Sequence, residues 1–242
     1  MLNFARLRVP FILGSLILVL TIILKYTSLS QAQVSNNVAA YRGSIFHLLD
    51  DPAKSKNAYQ YIAEFFLDRL LESGTTTALV FGTVHKTSID ALFEVASTRN
   101  LRLIAGKVMM DRNAPDYLLD TPQTSYQDSK ELIDRWHKKG RLLYAVTPRF
   151  APTSTPEQLK MAGKLLEEYP DVYMHNHLSE NQGEVEWVKT LFPQSDSYLG
   201  VYNDFKLSRE RSIYAHSIHL GDDRTVEYTY IMGKLWNKPK AS

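Results

Sequence analysis

Short apolar runs alternate with helix-type segments along the chain, and this alternation limits the fold more than any other feature. Five runs have the length and composition of buried strands: 77–81, 101–105, 142–146, 172–177 and 212–217. The helical spacing of apolar residues predicts helices at 56–72, 89–96, 128–139, 156–168 and 184–191. Strands that alternate with helices form parallel sheets with right-handed crossovers. The sequence therefore predicts an α/β fold, either an open doubly wound sheet or a (β/α)8 barrel.

Two helix ends carry recognisable signals. Thr155 precedes Pro156, and a threonine cap followed by proline in the first turn is typical of a helix start. Gly74 follows the helix predicted at 56–72, and glycine is a natural stop because it adopts the left-handed backbone that ends many helices.

An uninterrupted apolar run, 9–24, distinguishes the N-terminus from the rest of the chain. Arg6 and Arg8 precede the run and Lys25 follows it. A helix of this length rises about 24 Å, less than the roughly 30 Å of a bilayer core. A signal peptide that ends near Ala32 is a second interpretation, and a buried helix is a third. We expect residues 1–37 to form an apolar helix and linker that make the chain membrane-associated or secretory, with a cytoplasmic N-terminus.

Composition excludes several kinds of site. The chain has no cysteine, which rules out disulfides, thiolate metal ligands and a cysteine nucleophile. The formal net charge is +2 and the lysines and arginines form no long run, so we expect no nucleic-acid partner. No GxGxxG or phosphate-loop motif follows a predicted strand. A metal site must therefore use histidine, aspartate or glutamate.

Histidines collect where the predicted strands end, which is the functional face of a parallel α/β fold. Five of the seven histidines lie there: His85, His175, His177, His216 and His219. Residues two apart on a strand share a face, so His175 and His177 can both turn inward towards one metal ion. Glu180 follows in the next loop, within reach of a water on that metal. Histidines held by hydrogen bonds without a metal are the alternative interpretation.

Five motifs along the chain, in this order and spacing, resemble a known family. They are GTTT at 74–77, GKVMMD at 106–111, TPRF at 147–150, HLSEN at 177–181 and AH at 215–216. The stretch 51–220 resembles the guanine deaminases of the zinc amidohydrolase superfamily. The resemblance implies a TIM barrel of the metal-dependent hydrolase type that binds zinc and hydrolyses guanine to xanthine and ammonia. It also implies a cytoplasmic enzyme whose partner is a small purine.

The resemblance assigns roles to five residues. His177 and His216 match the zinc ligands on the family's fifth and sixth barrel strands. Glu180 matches the glutamate that moves protons between water, substrate and product. Arg149 and Phe150 match residues that hold the purine.

Three further residues at the strand ends are given no catalytic role. The match of His177 to the ligand position leaves His175 with a structural or supporting role. For Lys107 and Asp111 we expect a structural ion pair beneath the site.

Parts of the family pattern have no counterpart in the sequence. The family's first strand ends in His-X-His, whereas His47 stands alone upstream of residue 74. After Leu220, neither Asp222 nor Asp223 matches the zinc-binding aspartate of the eighth strand, and 228–236 resembles the family's closing strand pair. We therefore expect a partial barrel in 38–220, without the first, seventh and eighth strands, and closing strands in 221–242.

An incomplete barrel has consequences for assembly and activity. It exposes two sheet edges, which favours either pairing with another chain, for example in a homodimer, or poor folding. Zinc held by two histidines is expected to bind weakly, because mononuclear catalytic sites usually use at least three protein ligands. The sequence leaves two functions open: a guanine deaminase, or a truncated, catalytically inactive amidohydrolase-fold protein tethered to a membrane.

Overall fold

Helices and strands alternate through the computed structural model, which describes the backbone of residues 52–220, 229–231 and 234–236 and the side chains of 58–220. The helices are α1 (Pro52–Glu72), α2 (Lys86–Thr98), α3 (Pro122–Trp136), α4 (Pro156–Glu168), α5 (Gln182–Leu191) and α6 (Tyr198–Asp204). The strands are β1 (Thr77–Phe81), β2 (Arg102–Gly106), β3 (Val108–Met109), β4 (Leu142–Pro148), β5 (Tyr173–Leu178), β6 (Ser212–His216), β7 (Thr229–Ile231) and β8 (Lys234–Trp236).

The main sheet is parallel and runs in the order β1-β2-β4-β5-β6, with β3 pairing alongside β4. Its five main strands are the five predicted from the apolar runs, and they form part of a (β/α)8 barrel. The α/β class and the partial barrel are therefore confirmed. β7 and β8 form a separate antiparallel pair where closing strands were expected, while the division into residues 38–220 and 221–242 stays a prediction.

A continuous apolar core lies between the sheet and the helices. Phe93 of α2, Trp136 of α3 and Leu165 of α4 are all buried in it, together with alternate residues of β2 and β4 such as Leu103 and Tyr144. Each buried side chain of this size contributes roughly 1.5–3 kcal/mol to folding. The core thus stabilises the strands, and the loops at their carboxyl ends extend from these stabilised strands.

Capping side chains set several of the helix boundaries. The Thr155 hydroxyl accepts a hydrogen bond from the Gln158 amide at 3.2 Å, and α4 begins at Pro156 as predicted. Gly74 has a φ of +77°, which confirms it as the stop after α1. The predicted start of α3 at residue 128 is wrong: a capping box at Thr121 starts that helix at Pro122.

One glycine at a strand end is required by close packing. A Cβ on Gly106, the last residue of β2, would lie 1.7 Å from the Ala145 carbonyl oxygen of the neighbouring strand. No side chain fits this gap, so any larger residue would push β2 away from β4 at the end of the sheet that carries the polar loops.

The expected N-terminal helix in residues 1–37, with its apolar run 9–24, lies outside the described residues. Within 52–220, no helix combines the length and the apolar character needed to cross a membrane.

Candidate active site

The carboxyl ends of β4, β5 and β6 bring the five predicted site residues into one region. Arg149 and Phe150 directly follow β4, and His177 lies near the end of β5. Glu180 is two residues beyond β5, and His216 is the last residue of β6. In the register between β5 and β6, residue 177 pairs with 215 and residue 178 with 216. Neighbouring parallel strands therefore supply both imidazoles.

The His177 ring is fixed by the turn that follows β4. Its Nδ1 atom lies 2.9 Å from the Arg149 carbonyl oxygen, and the same oxygen accepts a hydrogen bond from the His177 amide at 2.9 Å. A carbonyl oxygen only accepts, so Nδ1 must carry the proton and the Nε2 lone pair is left for a metal or a substrate. Burial lowers the pKa of His177 to about 4, which keeps the ring neutral near pH 7.

His216 faces both His177 and Glu180. The two imidazole centroids are 5.4 Å apart with planes 25° from parallel, and His216 Nε2 lies 3.7 Å from a carboxylate oxygen of Glu180. His216 has a φ of +67°, and its neighbours Ser217 and Ser179 have values of +52° and +50°. Left-handed backbone at non-glycine residues costs about 1–3 kcal/mol each and tends to occur at functional sites. The two strand ends are thus held in unusual conformations.

Arg149 and Phe150 form a half-buried pair beside the imidazoles. The guanidinium carbon of Arg149 lies 5.5 Å from the Phe150 ring centroid, and the Phe150 ring meets His177 edge-on at 6.2 Å. Burial lowers the pKa of Arg149, and the charge of Glu180 opposes this shift. Arginine stays charged over the whole physiological range, so the pair offers fixed donors next to an aromatic face.

Phe81 is a part of this region that the sequence reasoning missed. Its ring stacks on His175 at 3.7 Å and on His177 at 4.2 Å. The two histidines therefore do share one face of β5, as the spacing predicted. His175 is buried, and burial lowers its pKa to about 3. The position of Phe81 as the last residue of a predicted strand was the one signal in the sequence that could have identified it.

The other two strand-end histidines make different contacts. His85 is the N-cap residue of α2, and its ring is 6.1 Å from that of Tyr59 on α1. His219 is exposed, and its amide donates to the Ser179 carbonyl at 3.1 Å. Ring contacts thus connect three of the five strand-end histidines, His175, His177 and His216, with Phe81 stacked on the first two.

The expected ion pair between Lys107 and Asp111 is wrong. The buried ammonium of Lys107 instead bonds the carboxylate of Asp120. Asp111 accepts hydrogen bonds from the Thr155 hydroxyl and, at 2.8 Å, from the Thr155 amide. Asp120 comes close because the loop after β3 folds back over Lys107, a closure that local sequence does not reveal.

The imidazoles of His177 and His216 have a separation suited to a shared metal ion. Two zinc–nitrogen bonds of about 2.0–2.1 Å at a tetrahedral angle place the ring centres about 5 Å apart. A ligand histidine normally donates its other ring nitrogen to a carbonyl or carboxylate, as His177 does. Among the residues with described side chains, however, no group of three or more histidine, aspartate or glutamate side chains could hold a metal. The described side chains therefore place two imidazoles at this separation without a complete ligand set.

The sequence and the fold of this chain are similar to those of known proteins. The sequence profile of the Amidohydrolase family matches residues 30–235. The guanine deaminase of Escherichia coli strain K12 is 64% identical over 159 residues, which cover 66% of this chain and 36% of that protein. The solved E. coli guanine deaminase superimposes with a TM-score of 0.68 at 61% identity, over 69% of this chain and 38% of that one.

A second solved structure, a guanine deaminase from C. acetobutylicum with guanine bound in the active site, gives a TM-score of 0.62. It is 32% identical over 70% of this chain and 42% of that chain. The chain spans about a third of the length of the curated relatives it matches. The expected resemblance is confirmed, and the match over most of its length shows that this chain belongs to the Amidohydrolase family.

Proposed function

We propose that this chain takes part in the hydrolytic deamination of guanine to xanthine and ammonia. The observation that carries the proposal is the grouping of His177, His216, Glu180, Arg149 and Phe150 at the ends of three neighbouring parallel strands. The similarity to guanine deaminases, one of them with guanine bound, supports the same substrate.

His177 and His216 are the proposed zinc ligands. The bond from His177 Nδ1 to the Arg149 carbonyl leaves its Nε2 free for a divalent ion, and at least one further ligand must come from outside the described side chains. Zinc, when bound, lowers the pKa of a water molecule towards ~7 and so makes a nucleophile available near neutral pH.

Glu180 is the proposed proton carrier. Its carboxylate is exposed and lies beside His216, where it can take a proton from the attacking water. It passes this proton to the ring nitrogen of the purine, and then moves the second proton of the former water from the new hydroxyl group to the departing amine. Among the described residues at this end of the sheet, Glu180 is the carboxylate that lies within ion-pair distance of a proposed zinc ligand, His216.

Arg149 and Phe150 are the proposed purine-binding pair. The planar guanidinium can donate hydrogen bonds to a purine carbonyl or ring nitrogen. The adjoining Phe150 ring offers an apolar surface for the purine ring. Guanine carries both a carbonyl and an amino-bearing ring carbon, and therefore suits a site with donors on one side and a nucleophile on the other.

The direct test is product formation by the full chain supplied with zinc. We expect release of xanthine and ammonia in equal amounts from guanine, and much slower reaction with adenine. Adenine lacks the carbonyl that Arg149 would bind. Failure of the wild-type chain to turn over guanine, with folding confirmed by circular dichroism, would favour the inactive, truncated alternative.

We also propose that the N-terminal segment directs the chain to a membrane. Arg6 and Arg8 precede the apolar run 9–24, and positive charge on that side favours a cytoplasmic N-terminus. A reporter fused after residue 37 should sediment with membranes. A wholly soluble reporter with an uncut N-terminus would reject this proposal.

Homodimer formation is a further proposal about partners. In the described part of the sheet, β1 and β6 each pair with a neighbour on one side, which leaves an edge of unpaired backbone groups. Sedimentation equilibrium should show a mass near twice the chain's 27.7 kDa. A monomer at tens of micromolar would contradict it.

A further inference from the structure

We propose that Tyr202 is a positioning residue of this site, an inference that rests on the proposed function. Tyr202 lies on α6, outside the strand-end loops, and its side chain is fully buried. Its hydroxyl lies between two of the segments that carry the site residues. It acts through them and not by touching the substrate.

The Tyr202 hydroxyl makes two hydrogen bonds that use both its donor and its acceptor capacity. It donates to the His177 carbonyl oxygen at 2.7 Å and accepts from the Ala151 amide at 3.0 Å. The first bond holds the end of β5, and the second holds the turn that carries Arg149 and Phe150. A phenylalanine could make neither bond.

These two bonds add a second connection between the end of β5 and the turn after β4. The Arg149 carbonyl accepts from both the ring and the amide of His177, so the turn after β4 is already tied to β5 on one side. The Tyr202 hydroxyl ties the same turn to the same histidine on the other side, through Ala151. Without the hydroxyl, the turn that carries Arg149 remains bonded to His177 only through the Arg149 carbonyl oxygen.

The ring of Tyr202 extends the contact to the third strand of the site. It stacks on Tyr214 with centroids 5.9 Å apart and planes 23° from parallel. Tyr214 is two residues before His216 on β6 and therefore faces the same side of that strand. Tyr202 thus contacts the backbone or side chains of all three segments that supply the proposed ligands and purine-binding pair.

Tyr202→Phe tests the role of the hydroxyl while keeping the aromatic ring. Tyr169→Phe is the matched control, because the Tyr169 hydroxyl donates to Asp134 at 2.7 Å on the outer surface, between α4 and α3. Both changes remove one hydroxyl and its hydrogen bonding. Thermal melting temperatures of the two full-length variants measure the general loss of stability that each substitution causes. A change at the site can then be compared with that loss.

The first readout is the imidazole proton of His177, observed by NMR in the full chain labelled with ¹⁵N-histidine and assigned from its loss in a His177→Gln sample. We expect the Nδ1 proton to exchange at least about tenfold faster in Tyr202→Phe, because a less constrained ring opens its bond to Arg149 more often. Tyr169→Phe should exchange like the wild type. Unchanged exchange in Tyr202→Phe, or an equal increase in both variants, would overturn the proposal.

The second readout is kcat/KM for guanine, which we expect to fall about ten- to a hundredfold in Tyr202→Phe, since small misplacements of reacting groups can cost this much. Tyr169→Phe should keep the wild-type value. A wild-type chain without deaminase activity would reject the proposed function, and the proton exchange of His177 would still decide the role of Tyr202.

Discussion

At the scale of single residues, one carbonyl oxygen organises the site. The Arg149 carbonyl fixes the tautomer of His177, while the Arg149 side chain lies over Phe150. The backbone and side chain of the same residue therefore connect the proposed metal ligand with the proposed purine-binding pair. A substitution at position 149 can remove the guanidinium and leave the carbonyl bond in place.

We predict that Arg149→Ala raises KM for guanine about ten- to a hundredfold and lowers kcat much less. In its proposed role, the guanidinium binds the purine in the ground state and the transition state alike, and a hydrogen bond to a charged group contributes about 1.5–3 kcal/mol. Steady-state kinetics of xanthine release measure both constants. Arg69→Ala, on the surface of α1, is the control and should change neither. A fall in kcat with KM unchanged would contradict a binding role.

At the scale of helices and strands, the loops of the site are held by caps and ion pairs on the helices behind them. Thr155 caps α4 and also donates to Asp111 in the loop after β3. Ion pairs join successive helices: Asp68 with Arg99, Lys86 with Glu131, and Lys130 with Glu168. These contacts connect each helix to the next on the outer side of the sheet.

Thr155→Ala should lower the free energy of unfolding by about 1–2 kcal/mol, because it removes a helix cap together with a bond to a carboxylate. Urea denaturation followed by circular dichroism measures the change. Thr190→Ala is the matched control, since the Thr190 hydroxyl bonds a carbonyl of its own helix on an exposed face. An equal effect of the two substitutions would contradict the special role of Thr155.

The helix-to-helix ion pairs predict a loss of stability in acid. Hydrogen bonds from Arg99, Lys86 and Lys130 lower the pKa of their carboxylate partners in the folded chain. A lowered folded pKa gives stability that is complete above the unfolded value of about 4 and is lost as pH falls through the folded value. The urea midpoint should therefore fall between about pH 5 and pH 3.

Asp68→Asn tests whether the ion pairs between helices cause this loss of stability at low pH. The variant lacks one of the titrating partners, so its urea midpoint should fall less steeply with pH than that of the wild type. Asp116→Asn, at an exposed position, should keep the wild-type slope. Identical slopes for Asp68→Asn and the wild type would show that this pair does not contribute.

The sequence predicted those elements whose signals are local. The start of α4 was predicted to the residue because Thr155 and Pro156 act within one turn, and β1 because its apolar run is bounded on both sides. The helix α6 was missed, although Ser197 accepts a hydrogen bond from Gly200 as a cap, because seven residues are too few for a periodic pattern.

Contacts between distant parts of the chain could not be predicted in the same way. The pairing of Lys107 with Asp120 and the position of Tyr202 beside His177 depend on how loops and helices close around the sheet. The grouping of the five proposed site residues could be predicted because their motifs lie at the ends of successive strands, and parallel strands bring those ends together.

At the scale of the whole molecule, residues 52–220 form a curved parallel sheet with helices outside and the proposed site at one edge. β6 is the last strand along this sheet, so His216 lies at its border. In the proposed zinc site, two histidines on β5 and β6 leave the remaining directions around the ion open to water or to other groups.

We predict that the purified chain retains less than one zinc ion per molecule after extensive dialysis. Two imidazoles bind zinc more weakly than the three or four protein ligands of ordinary sites. Elemental analysis with a parallel protein assay gives the stoichiometry. One firmly held zinc per chain would refute the prediction and would point to additional ligands such as His175 or His47.

The measurement that tests the proposed chemistry most directly is guanine turnover by Glu180→Gln in the presence of saturating zinc. Glutamine keeps the shape of the side chain but cannot carry the proton, so kcat should fall by about 10²–10⁴. Glu186→Gln is the control: Glu186 is an exposed carboxylate on α5 paired with Lys189, and its loss should leave kcat unchanged. Undiminished turnover in Glu180→Gln, with an active wild type beside it, would contradict the account.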